Sequence, residues 1–180
     1  MLERYSTMPL NNIDLAQVIE YRDEMKKDPE EAKFTAKIQG EWVFDADGPQ
    51  FRATVPVKDG TYTMEASHPN FSGPRKFPGP MAFGLFWFAA CFTSTFMTEA
   101  AQQQVKIDQV KTRVEADLNY LAQFDLGKDP LVEEYRIALE VKSAVPDKKI
   151  QELKDRALKG CMGMYTITHA IRLKAVVSKS

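Results

Sequence analysis

A chain of 180 residues that is 44% hydrophobic and 27% charged has enough apolar side chains for one packed domain, and too many for wholesale disorder. Its formal net charge is −1 and no segment gathers Lys and Arg into a strip, so no nucleic-acid partner is expected, because phosphate backbones are held by clustered cations. Two cysteines make no secreted disulfide framework, and the opening MLERYSTMPL has no basic start followed by an apolar stretch, so a reducing cytoplasm is the expected compartment.

Residues 11 to 26 predict a short amphipathic helix, capped by Asn11 or Asn12, with Leu15, Val18, Ile19 and Met25 on its apolar stripe. KKDPEEAK (26–33) reads as a solvated connection in which Pro29 stops that helix. Residues 1–33 are therefore expected to be an N-terminal extension and linker, and 34–180 the main domain. From Phe34 the period becomes two. Phe34, Ala36 and Ile38, continued by Trp42 and Phe44, predict a first strand. Phe51, Ala53, Val55 and Val57 predict a second, and Tyr62, Met64 and Ala66 a third, with Asp59-Gly60 at the hairpin between them.

The proline-rich SHPNFSGPRKFPGP (67–80) is a loop, and Pro80 opens a helix running to about 104. That helix is apolar nearly all round in its first half, which predicts burial on every side. Twenty-two uncharged residues lie between Lys76 and Glu99, near the length of a membrane span. Pro78, Gly79 and Pro80 break their start, and Thr93, Ser94, Thr95 and Thr98 crowd their second half, so a core helix is expected and no membrane.

Val110 to Tyr120 alternate with Lys111 to Asn119, and Tyr135, Ile137, Leu139 and Val141 alternate again, predicting two more strands. Pro146 and Asp147 open a helix that carries Ile150, Leu153, Ala157 and Cys161 on one face. Tyr165, Ile167, His169, Ile171, Leu173 and Ala175 predict a last strand. Strand pairs on both sides of a central helix argue an α+β fold and not a parallel βαβ one.

The candidate chemistry rests on Cys91 and Cys161, each placed on a helix near its apolar face. Residue type alone leaves two readings: inert core packing, which is common for buried Cys, or a nucleophile kept from water. Desolvation raises a thiol pKa, and Cys91 lies too far into its helix for the N-terminus to offset this, so a reactive Cys91 needs a cation nearby. Cys91, Cys161, His68 and His169 form no CxxC or HxxxH spacing, so no metal is expected, and His169 reads as a core histidine on a strand. No glycine-rich phosphate loop and no G-x-S-x-G elbow occurs.

The ordered combination of GPMAFGLFWFAACFTS (79–94), VKIDQVKTRVEADLNY (105–120) and DKKIQELKDRALKGCMGMYTITHAIRLKAVV (147–177) resembles the OsmC/Ohr superfamily, the osmotically inducible and organic hydroperoxide resistance proteins, over about residues 34 to 177. The resemblance implies antiparallel sheets wrapped around central buried helices in an intertwined homodimer, with active sites at the subunit interface. It implies that Cys91 attacks a small organic hydroperoxide and that Cys161 resolves the product as a disulfide, reopened by an external dithiol donor with no bound cofactor. An arginine beside the thiolate belongs to the same pattern. Arg52 is the first choice for it and Arg75 the second. In peroxidase members a glutamate after the helix-opening proline orients that arginine, where this chain has Met81. Proline commonly follows the second cysteine, where this chain has Met162. Phe83, Phe86, Trp87 and Phe88 are bulky for the pocket. These departures leave an alternative expectation, a non-catalytic OsmC-like dimer binding a small apolar or thiol-reactive ligand.

Overall fold

The computed structural model describes residues 9–68, 72–74 and 76–179. The chain is α+β, with α1 (Leu15–Lys27), β1 (Gln39–Trp42), β2 (Phe51–Val57), β3 (Gly60–Ala66), α2 (Pro80–Gln102), β4 (Gln109–Leu118), β5 (Val132–Lys142), α3 (Asp147–Gly160) and α4 (Met162–Thr168) in order. It divides into two compact units, and the division falls inside α2, between Phe86 and Trp87.

The unit Ala16–Phe86 holds the antiparallel sheet β1-β2-β3. Its β2–β3 hairpin closes with Val57 opposite Gly60, whose φ of +147° is a conformation L side chains rarely adopt. The loop after β3 is pinned to the start of β2: Gln50 N donates to Ser67 Oγ, and His68 N donates to Gln50 Oε1. Two expectations change here. Asn11 and Asn12 precede the helix without capping it, since α1 starts at Leu15. β1 starts at Gln39, not Phe34, and Phe34 and Ile38 stay exposed, because the pairing with β2 runs only from Gln39 opposite Thr54 to Trp42 opposite Phe51.

The other unit joins Trp87–Ser180 to the residues up to Leu15. Its core is built on the four-residue spacing Phe88, Phe92, Phe96 and Ala100 of α2, which stacks one helical face. Leu153 and Ala157 of α3 complete it with Val105 and Ile107, and the odd-numbered residues Ile137, Leu139 and Val141 of β5 pack against it. β4 and β5 pair antiparallel from Gln109 opposite Lys142 onward, as the alternation predicts. Asn11 acts as a strap: its Nδ2 donates to Val105 O at 2.8 Å and its Oδ1 accepts from Ile107 N at 2.9 Å, with the backbone left-handed at φ 58°. This use explains why it is not a helix cap.

By length and composition α2 is apolar enough to cross a membrane, but its buried stripe is the core of this unit. Burial is not all round: Phe86 is 70% and Trp87 44% exposed. The expected last strand is also absent. Residues Met162–Thr168 form α4, and 170–179 carry no regular structure, with Leu173 and Val177 exposed. The helix satisfies its own amides, Met164 N on Cys161 Sγ and Tyr165 N on Cys161 O, whereas the segment beyond meets no strand among the described residues. His169 is therefore not a core histidine. It follows α4, exposed, with its ring stacked on Tyr165 at 4.0 Å.

Candidate functional site

Cys91 is set by the middle of α2, one residue before the buried Phe92, so its side chain borders the core without lying inside it. Cys161 stands at a break. Gly160 ends α3, and Cys161 leaves the helix with φ −86° and ψ 118°, then caps α4 through its own sulfur. It is thus off the α3 helix on which its spacing placed it, yet it keeps the buried position, at 2% exposed. The break turns its side chain toward α2. The two sulfurs lie 3.5 Å apart, and both thiols are free. A disulfide bond is about 2.05 Å long, so bonding requires an approach of roughly 1.5 Å.

The first turn of α4 adds amide donors. Gly163 N lies 3.4 Å from Cys91 Sγ, and Met164 N lies 3.4 Å from Cys161 Sγ. Gly163 permits this approach because a Cβ there would sit 3.3 Å from Cys91 Cβ and 3.5 Å from Phe88 Cδ2. The Phe88 ring meets Tyr135 edge-on at 6.0 Å, giving the pair an aromatic flank. Burial pushes the Cys91 thiol above its ordinary value; the Gly163 amide and, more weakly, the Met162 amide pull it down, while the Cys161 thiol adds to the rise. Burial wins, and Cys91 is a protonated thiol near neutral pH.

Arg52 lies on β2 in the other unit. Its Nε donates to Glu65 Oε1 at 2.8 Å across the β2–β3 pair, and its side chain is 43% exposed. Arg75 lies outside the described residues. The first turn of α2, where Met81 stands, holds no carboxylate. No group of three or more His, Cys, Asp or Glu that could hold a metal occurs among the described residues. The residue that sequence reading missed is Gly163. Met162 beside it, in place of proline, keeps a second backbone amide near Cys91.

A helix-borne thiol meeting a second thiol at a break between two helices, in an α+β fold, defines a dithiol protein. The OsmC-like protein family matches residues 73–176, and the chain belongs to that family. Its fold is similar to an OsmC-like protein from Mycoplasma pneumoniae, at 19% identity and TM-score 0.56 over 76% of this chain and 89% of that one. It is also similar to an organic hydroperoxide resistance protein from Legionella pneumophila, at 15% identity and TM-score 0.50 over 75% of this chain and 91% of that one. At these identities the likeness is one of fold. No curated protein matches the chain.

Proposed function

We propose that Cys91 and Cys161 reduce small organic hydroperoxides. The observation that carries this reading is the 3.5 Å between the sulfurs. The Cys91 thiolate attacks the terminal oxygen of ROOH and the O–O bond breaks. The alcohol ROH leaves with a proton, and Cys91 becomes a sulfenic acid. The Cys161 sulfur then attacks Cys91 Sγ, water leaves, and a disulfide forms. An external dithiol reopens it by two exchange steps, becoming a disulfide itself and restoring both thiols. Hydroperoxide and dithiol are thus converted to alcohol, water and the donor's disulfide.

The half-buried setting of Cys91 suits an apolar peroxide, and a second thiol within contact shields the sulfenic acid from further oxidation. Arg52 is proposed as the cation that offsets burial at the thiolate, in exchange for its present partner Glu65. The working form is proposed to be a cytoplasmic homodimer with intertwined halves. Supporting this are apolar side chains that one chain leaves in water, among them Phe44 at 93%, Phe86 at 70% and Leu173 at 87% exposed.

A second reading, a non-catalytic dimer that binds an apolar or thiol-reactive ligand, is favoured by the raised Cys91 pKa together with Met81 in place of a carboxylate. One experiment separates the two. Cumene hydroperoxide is added to the reduced protein, free thiols are counted, and turnover is followed with a dithiol donor. The peroxidase reading expects both thiols lost per equivalent of peroxide, turnover that saturates, and turnover at least tenfold lower in Arg52→Ala. Thiols that remain titratable after prolonged exposure would overturn it and leave the binding role.

A further inference from the structure

The thiol-bearing unit contains a cleft that takes no part in the chemistry above. It has a volume of about 230 Å³ and opens between α2, β5 and α3. Phe92 and Phe96 line it from α2, Leu139 from β5 and Leu158 from α3, and neither cysteine borders it. Two polar side chains interrupt this apolar lining, Gln151 and Lys154, one helical turn apart on α3. Lys154 Nζ donates to Gln151 Oε1 at 2.9 Å and stands 3.4 Å from Asp155 Oδ1.

We propose that this cleft binds a medium-chain carboxylate, with its tail among Phe92, Phe96 and Leu139 and its head on the Lys154 ammonium and the Gln151 amide. Volume sets the length. An apolar cavity of about 150 Å³ holds benzene, and at roughly 30 Å³ per water-sized group the cleft takes a chain of about eight carbons. Charge sets the head. Lys154 is the one ionised side chain in the lining and has Asp155 beside it, so the site offers enough positive charge for a monoanion and too little for a phosphate dianion. Gln151 already has its Oε1 on the ammonium, so its N–H groups are the end that a carboxylate oxygen can meet. The lining is wholly apolar otherwise, which favours a saturated tail over a sugar or peptide.

Octanoate, hexanoate and 1-octanol are titrated into the reduced full-length protein by calorimetry, with backbone amide shifts recorded in parallel. Octanoate is expected to saturate and to shift amides of α3 and β5. Hexanoate, two methylenes shorter, is expected to bind about fifteenfold more weakly, at roughly fourfold per buried methylene. Lys154→Gln is expected to weaken octanoate tenfold or more and leave 1-octanol unchanged. Leu158→Trp, which fills the mouth, is expected to abolish binding of both. Gln151→Trp blocks the same mouth from an exposed position and replaces Leu158→Trp if that variant does not fold. Octanoate that fails to saturate at millimolar concentration, or that still binds after the mouth is filled, overturns the cleft. Equal binding of octanoate and 1-octanol, with Lys154→Gln without effect, overturns the carboxylate.

Discussion

Replacing Gly163 by Ala tests whether the backbone amide of α4 holds the Cys91 sulfur. The added Cβ would meet Cys91 Cβ at 3.3 Å, Cys91 Sγ at 3.4 Å and Phe88 Cδ2 at 3.5 Å. Phe88 is 2% exposed and has nowhere to go, so the first turn of α4 backs away by a few tenths of an ångström. The amide–sulfur contact, 3.4 Å in the native chain, then lengthens by those few tenths and weakens. A net hydrogen bond is worth about 1 kcal/mol, and sulfur is a weak acceptor, so the loss is about 0.5 kcal/mol. That amounts to about a twofold smaller thiolate fraction at a pH below the thiol pKa.

Stability moves by opposed effects. Alanine gains about 1 kcal/mol over glycine inside a helix, and overpacking costs about 1–3 kcal/mol, for a net loss of roughly 0–2 kcal/mol. The assay is the rate of Cys91 alkylation by iodoacetamide at pH 8, localised by peptide mass spectrometry, with urea melts alongside. Gly160→Ala is the control, because its Cβ would meet only Thr95 Cγ2, at an ordinary 3.6 Å. Alkylation is expected to slow about twofold in Gly163→Ala and to be unchanged in Gly160→Ala. Equal rates in both variants, or a faster rate in Gly163→Ala, would refute the amide's role.

Because burial raises the Cys91 pKa, its alkylation rate in Arg52→Ala, which lacks the proposed offsetting cation, is expected to keep climbing with pH beyond the ordinary thiol value of 9.0, and a plateau below that value would show that burial does not dominate. The same shift has a stability sign. The folded chain keeps a proton that the unfolded thiol has lost, so stability falls as pH rises from the unfolded toward the folded pKa, and Cys91→Ala should flatten that slope in urea midpoints. Met162→Pro removes the second amide at the first position of α4, where proline fits after an extended Cys161, so it should slow Cys91 alkylation while the melting temperature holds. Asn11→Ala strips the partners from Val105 O and Ile107 N and should cost about 1–3 kcal/mol by urea denaturation, whereas a change below 0.5 kcal/mol would mean water replaces the strap.

The β4–β5 hairpin is legible in the sequence because each strand has a core on one side and water on the other, so alternation reports burial directly. Ile171, Leu173 and Ala175 carry the same alternation and form no strand, because a strand is a relation between two segments and the pattern describes only one of them. The first strand fails in the same way at Phe34, where the apolar parity outruns the pairing with β2. Asn11 shows the opposite limit. Its capping chemistry is legible, but its partners stand 94 and 96 residues away, beyond any local rule.

The site divides along the same line. Steps of three and four from Ile150 through Leu153 and Ala157 put the Cys161 sulfur on the correct side of the chain, although Gly160 had already ended the helix. Side-chain periodicity therefore placed Cys161, while the amides that meet the sulfurs come from the backbone, which is the same at every residue but proline. What converts a half-buried and a buried cysteine into a candidate redox pair is the break at Cys161. A helix continued through that residue would keep its amides for its own carbonyls, whereas the break frees the first-turn amides of α4 to face sulfur.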